Sequence, residues 1–79
     1  MSREAELILN AFIAEAHKDI ADFMEVTSES LNITEDKFLE SLRELEMDGY
    51  VKNVMWTSEG GCLYDDIEIH TSTFKLSKW

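Results

Sequence analysis

The stretch Thr34–Val51, TEDKFLESLRELEMDGYV, constrains this chain more than any other. It reads as a helix that runs directly into a strand. Thr34 is suited to cap the helix N-terminus with its hydroxyl, and Glu35 and Asp36 suit the positive end of the helix dipole. Phe38, Leu42 and Leu45 recur at helical spacing with Leu39 beside them, which gives one apolar face. Gly49 is placed to adopt the left-handed conformation that closes a helix. Tyr50 and Val51 then begin a strand with β-favouring residues.

Upstream, Ala5, Ile8, Leu9, Phe12, Ile13 and Ala16 form a wide helical stripe, so a first helix is expected from Arg3 to about His17, capped by Ser2. The run Lys18–Val26 carries Ile20, Ala21, Phe23 and Met24 without glycine or proline. It either prolongs that helix with a kink or forms a separate turn, and in both cases Phe23 and Met24 are expected to reach the core. Thr27–Ile33 reads as a short helix and a turn. Thr27 and Ser30 favour a helix start without making a full capping box. Leu31 and Ile33 are the expected inward residues, and Asn32 tolerates the left-handed conformation of a tight turn.

Downstream, Tyr50–Thr57 and Cys62–Thr71 read as two strands joined by Ser58-Glu59-Gly60-Gly61, where glycines supply positive φ. In the first strand Val51 and Met55 share one face, Val54 and Trp56 the other. In the second, Leu63, Ile67 and Ile69 are expected inward. Tyr64, Asp66, Glu68 and His70 are expected on the wet face. Phe74 and Leu76 would continue or add a strand edge.

The chain has 79 residues, 44% hydrophobic and no proline, which suits one small globular domain. No apolar run has membrane-spanning length and no signal peptide is visible, so a soluble cytoplasmic protein is the default expectation. The single cysteine, Cys62, agrees with a reducing compartment. Charge says most about partners. Seventeen acidic residues face seven basic ones, a formal net charge of −10. Duplex binding draws on Lys and Arg neutralising phosphates, and this chain offers few.

The order helix, short helix, long helix, hairpin is that of a winged helix. The expected fold class is α+β: a winged helix-turn-helix, three helices followed by a two- or three-stranded β-hairpin wing, as one domain over residues 1–79. Within Leu31–Val54, the residues Ile33, Thr34, Glu35, Phe38, Leu42, Leu45, Gly49, Tyr50 and Val51 match a more specific pattern. The chain resembles the YjcQ-like small winged-helix proteins of Gram-positive bacteria and their prophages. Those proteins continue past the second wing strand into a Leu-Thr-x-x-Gly segment that opens a C-terminal helix. Phe74–Trp79 resembles that start, and the expectation is that the helix is either lost in this protein or cut off with a shortened chain. The matching positions belong to core and turns, so the resemblance implies a fold and no catalytic residue.

Chemistry is sparse. No nucleophile motif, phosphate-cradling loop or paired-cysteine metal spacing is present, and no cofactor is expected. His17 and His70 lie far apart, without ligands at metal spacing. Cys62 has acidic neighbours in sequence, Asp65 and Asp66, the wrong sign for a reactive thiol. Met47-Asp48-Gly49 is only a fragment of a calcium loop. Trp56 and Trp79 are weighed as partner anchors, with a half-buried strand position the plainer reading for Trp56.

One constellation is sharper. Asp36, Glu40, Glu44 and Asp48 fall at successive i+4 positions and form an acidic stripe along the third helix. Arg43 is placed to relieve Glu40. Like charges at this spacing repel, so neutralising Glu40 and Glu44 together is expected to stabilise the fold slightly. The stripe is either a solvated face or a docking face for a basic partner; as a groove reader it would face phosphate repulsion. The preferred reading is a non-enzymatic interaction module, phage- or prophage-encoded, that binds a protein with a basic surface. It would either adapt a host complex or inhibit a host or defence complex, its carboxylates then imitating nucleic-acid phosphates. Its expected contacts are Asp36, Glu40, Glu44, Asp48, Trp56, Asp66 and Glu68. The alternative is a DNA-binding regulator, with a homodimer left open. Its contacts would come from Lys37, Ser41, Arg43 and Lys52, with Arg3 and Lys18 as further cations.

Overall fold

The computed structural model describes residues 1–70. The expected strand edge at Phe74 and Leu76, the segment Phe74–Trp79 and the anchor role of Trp79 lie outside the described residues. The architecture is α+β: three helices followed by an antiparallel hairpin region.

The first helix, α1 (Arg3–Ala16), starts where Ser2 accepts the Ala5 N–H at 3.1 Å. Its stripe buries Ala5, Ile8, Leu9, Phe12 and Ile13, but Ala16 is exposed. The helix outruns the core there, and His17–Asp22 all lie at the surface, with Ile20 87% exposed. Glu15 takes the inward place instead. Its carboxylate accepts the Asp22 N–H at 2.9 Å and pairs with Lys18 at 3.0 Å, which closes the loop. Those two donors, Asp22 first, hold the Glu15 carboxyl below the usual range, and the same contact raises Lys18.

A separate 3-10 turn, Phe23–Glu25, follows, so α1 is not prolonged. Phe23 and Met24 pack partly buried against the core. The second helix, α2 (Ser28–Leu31), has a complete capping box after all. Ser30 donates its N–H to the Thr27 hydroxyl, and its own hydroxyl accepts the Thr27 N–H, both at 3.0 Å. A serine hydroxyl at N3 here closes the box usually closed by Glu or Gln. Asn32 ends the helix at φ 58.

The third helix, α3 (Glu35–Met47), is capped by Thr34, which accepts the Lys37 N–H at 3.2 Å. It buries Phe38, Ser41, Leu42 and Leu45, and packs chiefly against α1. Gly49, at φ +83, closes it: the Gly49 N–H donates to Glu46 and the Tyr50 N–H to Leu45, at 3.1 and 3.0 Å. These two bonds satisfy the last carbonyls and aim the chain into the hairpin.

The hairpin is two short ladders. Strand β1 (Val51–Lys52) pairs with β4 (Glu68–Ile69), and β2 (Met55–Trp56) with β3 (Cys62–Leu63). Between the ladders Asn53 and Val54 on one arm face the four residues Tyr64 to Ile67 on the other. Asn53 turns left-handed, at φ 67, and the Ile67 N–H closes a turn onto the Tyr64 carbonyl at 3.2 Å.

This unequal insertion overturns the expected alternation. Tyr64 is buried rather than wet, Leu63 is 47% exposed rather than inward, and Ile67 is buried as expected. On the other arm Val51 and Val54 both go inward, and Met55 is 65% exposed. At the tip the Thr57 N–H donates to the Gly61 carbonyl at 2.9 Å, with Gly60 at φ +91.

Tyr64 locks the hairpin to the helices. Its ring meets Phe12 edge-on with centroids 5.6 Å apart, and lies 5.9 Å from Phe38. Its hydroxyl donates to the Val26 carbonyl at 2.6 Å. Burial, with the Cys62 thiol adding to it, pushes the phenol up to about 12.

Candidate interaction surface

Because α3 turns Phe38, Ser41, Leu42 and Leu45 inward, its opposite side carries Asp36, Lys37, Glu40, Arg43, Met47 and Asp48, all exposed. The four acids of the predicted stripe do not behave alike. Asp36 is exposed in the first turn, and Asp48 caps the last turn with its carboxylate exposed. Glu40 pairs with Lys37 at 3.5 Å, not with Arg43. Glu44 is half-buried and belongs to the fold: it accepts the Ser2 N–H at 3.0 Å and lies 4.0 Å from the N-terminal ammonium. The Ser2 bonds first, then that ammonium and Lys37, hold its carboxyl below the usual range. Glu44 therefore fastens the start of α1 to α3.

The stripe also divides in space. Glu40, Glu44 and Asp48 share a shallow depression of about 310 Å³ with Arg43 and Met47. Asp36 and Lys37 line a second, of about 490 Å³, with Glu4 and Ile33, and Glu40 stands on the ridge between them. Trp56, Asp66 and Glu68 line neither depression. Asp66 is exposed. Glu68 accepts from the Asn53 amide at 2.9 Å and lies 3.3 Å from His70 Nε2.

Trp56 is half-buried and held against α3. Its indole N–H donates to Glu46 at 2.8 Å, and the Arg43 guanidinium sits 4.3 Å from the ring centroid. Glu46 was not singled out from sequence. The available signal was chemical: a half-buried indole needs an acceptor, and the last turn of α3 supplies one.

Three of the five basic residues among the described residues have partners within the fold. Lys37 binds Glu40, Arg43 covers Trp56 and Lys18 binds Glu15. Ser41, counted with the groove-facing residues, is 1% exposed and faces the core, so it cannot reach a base edge. Lys52 is exposed on β1, opposite Glu68.

His17 is exposed, and among the described residues no group of three or more His, Cys, Asp or Glu is placed to hold a metal ion. Cys62 is half-buried, and burial, then Glu35 and Glu46, push its thiol up. The acids that act on it come from α3 rather than from the adjacent Asp65 and Asp66. Among residues 1–70 no helix is long and apolar enough to cross a membrane. No family model, curated protein or solved structure matches the chain.

Proposed function

We propose that the protein is a non-enzymatic winged-helix module that binds a protein partner bearing a basic surface, with the exposed side of α3 as its docking face. Its carboxylates act there in the place of nucleic-acid phosphates. One observation carries this reading: both cations of α3 have a partner within the chain, Lys37 in an exposed pair with Glu40 and Arg43 over the Trp56 ring, while the carboxylates of Asp36 and Asp48, at the two ends of the helix, are exposed. A helix that reads DNA needs free Lys and Arg to meet phosphates, and electrostatic complementarity here favours a cationic partner instead.

Two measurements test it together. A random-sequence duplex is titrated at about 150 mM salt, where a purely electrostatic contact with so acidic a surface should be negligible. Capture from a host lysate is then compared between the native protein and Asp36→Lys/Asp48→Lys. The expected result is no duplex binding, and a salt-sensitive set of basic proteins that the variant fails to retain. Submicromolar binding to random duplex would instead support the DNA-regulator alternative, and identical capture by a folded variant would remove the docking face.

A further inference from the structure

A third concave surface lies where α2, the first turns of α3 and the hairpin meet. It is an open cleft of about 620 Å³. Its lining joins an apolar set, Met24, Ile33, Phe38, Leu39 and Cys62, to the hydroxyl residues Thr27 and Ser28 and to the acids Glu29 and Glu35, both exposed. Among the described residues no Lys, Arg or His lines it. The size falls within the usual range of ligand sites, roughly 300–1,000 Å³. Its chemistry is one-sided in charge: apolar side chains beside two carboxylates, with no countercharge among the described residues.

We propose that this cleft receives a short basic segment of a partner protein, a large apolar side chain seated against the apolar set and flanking Lys or Arg residues paired with Glu29 and Glu35. The proposal rests on the basic-partner reading and adds where that partner's apolar anchor enters. Charge complementarity selects the occupant. An acidic or neutral segment would desolvate two carboxylates without return, whereas a cationic one compensates them. Glu35 and Cys62 line the same cleft.

Cys62 is the chain's only cysteine and so reports on occupancy. The full chain is alkylated with neutral iodoacetamide alone, and with each of three synthetic peptides. One has a central leucine between arginines, one has serine in place of the leucine, and one has glutamates in place of the arginines. The first should slow alkylation at least about threefold at low salt, with protection fading at about 0.5 M salt as screening shortens to a few ångströms. The other two should not protect.

Glu29→Gln/Glu35→Gln should lose the protection while circular dichroism shows the same helical content. Should that variant misfold, Leu39→Ser serves in its place, because it removes part of the apolar set and leaves both carboxylates. Equal protection by all three peptides, protection kept in a folded variant, or none from the first peptide overturns the proposal. So does protection that rises with protein concentration in the absence of peptide, which would make a second copy the occupant. Failure here with charge-dependent capture by α3 intact removes the cleft alone; failure of both removes the basic partner.

Discussion

Along α1 the residues that meet α3 recur every third or fourth position, and Ala5, Ile8, Leu9 and Phe12 are wholly covered. Across the hairpin the two ladders have two residue pairs each among the described residues, yet Val51, Val54, Tyr64 and Ile67 are also buried. The helix reaches its burial by local geometry, since a fixed period decides which side chains face inward. The hairpin reaches it by interruption. Each arm buries one residue on either side of a break, and the breaks are fixed by Asn53 and by the turn from Tyr64 to Ile67. That turn is in turn held from outside the hairpin, by the Tyr64 hydroxyl on Val26 and its ring between Phe12 and Phe38. Inward-facing positions in the hairpin therefore depend on the helices, while those of the helices follow from their own sequence.

The strongest way to break this relation is at Phe12, where the halves meet. Its ring is fully covered and touches Phe23 and Tyr64 edge-on. Phe12→Ala should cost about 3–5 kcal/mol, the usual range for emptying a buried aromatic site. In a domain this small that is a large share of total stability, so the urea midpoint should fall sharply or folding should be lost. A midpoint shift within error would mean that the two halves do not share one core.

Tyr64→Phe separates the hydrogen bond from the ring. The variant keeps the aromatic contacts and leaves the buried Val26 carbonyl without its donor, an omission worth about 1–3 kcal/mol. If the hairpin takes its inward set from this anchor, hydrogen exchange should quicken at Ile67 and His70, whose N–H groups donate to the Tyr64 and Tyr50 carbonyls, more than in α1. Uniform acceleration across the chain would show that the bond adds stability without placing the turn.

The same contrast explains what the sequence could convey. The helices were legible because Ser2, Thr34 and Gly49 are local signals, and their hydrogen bonds stand where those residue types require them. The hairpin was legible in its existence and at its Gly60 tip, but not in its register. A period-two pattern cannot anticipate two residues facing four, and Tyr64 with its polar tip reads as a wet-face residue until Val26 is brought beside it. The acidic stripe was legible as a pattern and misleading as a group. Helical spacing places Glu40 and Glu44 one turn apart, but nothing local says that Glu44 turns to Ser2 and Glu40 to Lys37. Likewise Arg43 stands one turn from Glu40 in sequence yet lies over Trp56.

Asn53 sharpens the comparison at lower cost. Its φ of 67 sits in the left-handed region, which costs an ordinary side chain roughly 1–2 kcal/mol. Asn53→Ala should approach that loss, and Asn53→Gly should be nearly neutral apart from the exposed amide contact to Glu68. Chemical denaturation of both variants checks the ordering. Equal losses would trace the effect to the Glu68 contact rather than to the backbone.

The smallest effect concerns the stripe, where the different contacts of Glu40 and Glu44 predict different outcomes in place of a shared relief of repulsion. Glu40→Gln removes an exposed pair with Lys37 and should change stability by no more than about 0.5 kcal/mol. Glu44→Gln should destabilise, because the carboxylate accepts the Ser2 N–H beside the N-terminal ammonium. The sign of its pH dependence follows from the depressed carboxyl. A group held below its ordinary value of 4.5 in the folded state contributes stability at higher pH, and that contribution is lost as the pH falls through the folded value. Native protein should thus lose stability progressively below about pH 4.5, and Glu44→Gln should lose less over the same window. Glu15, depressed in the same direction, remains in the variant, so its acid slope is reduced rather than abolished. Thermal melts at pH 7 and at steps below pH 4.5 distinguish the two carboxylates. If Glu40→Gln flattens the acid slope and Glu44→Gln leaves it unchanged, the fastening of α1 to α3 has been assigned to the wrong residue.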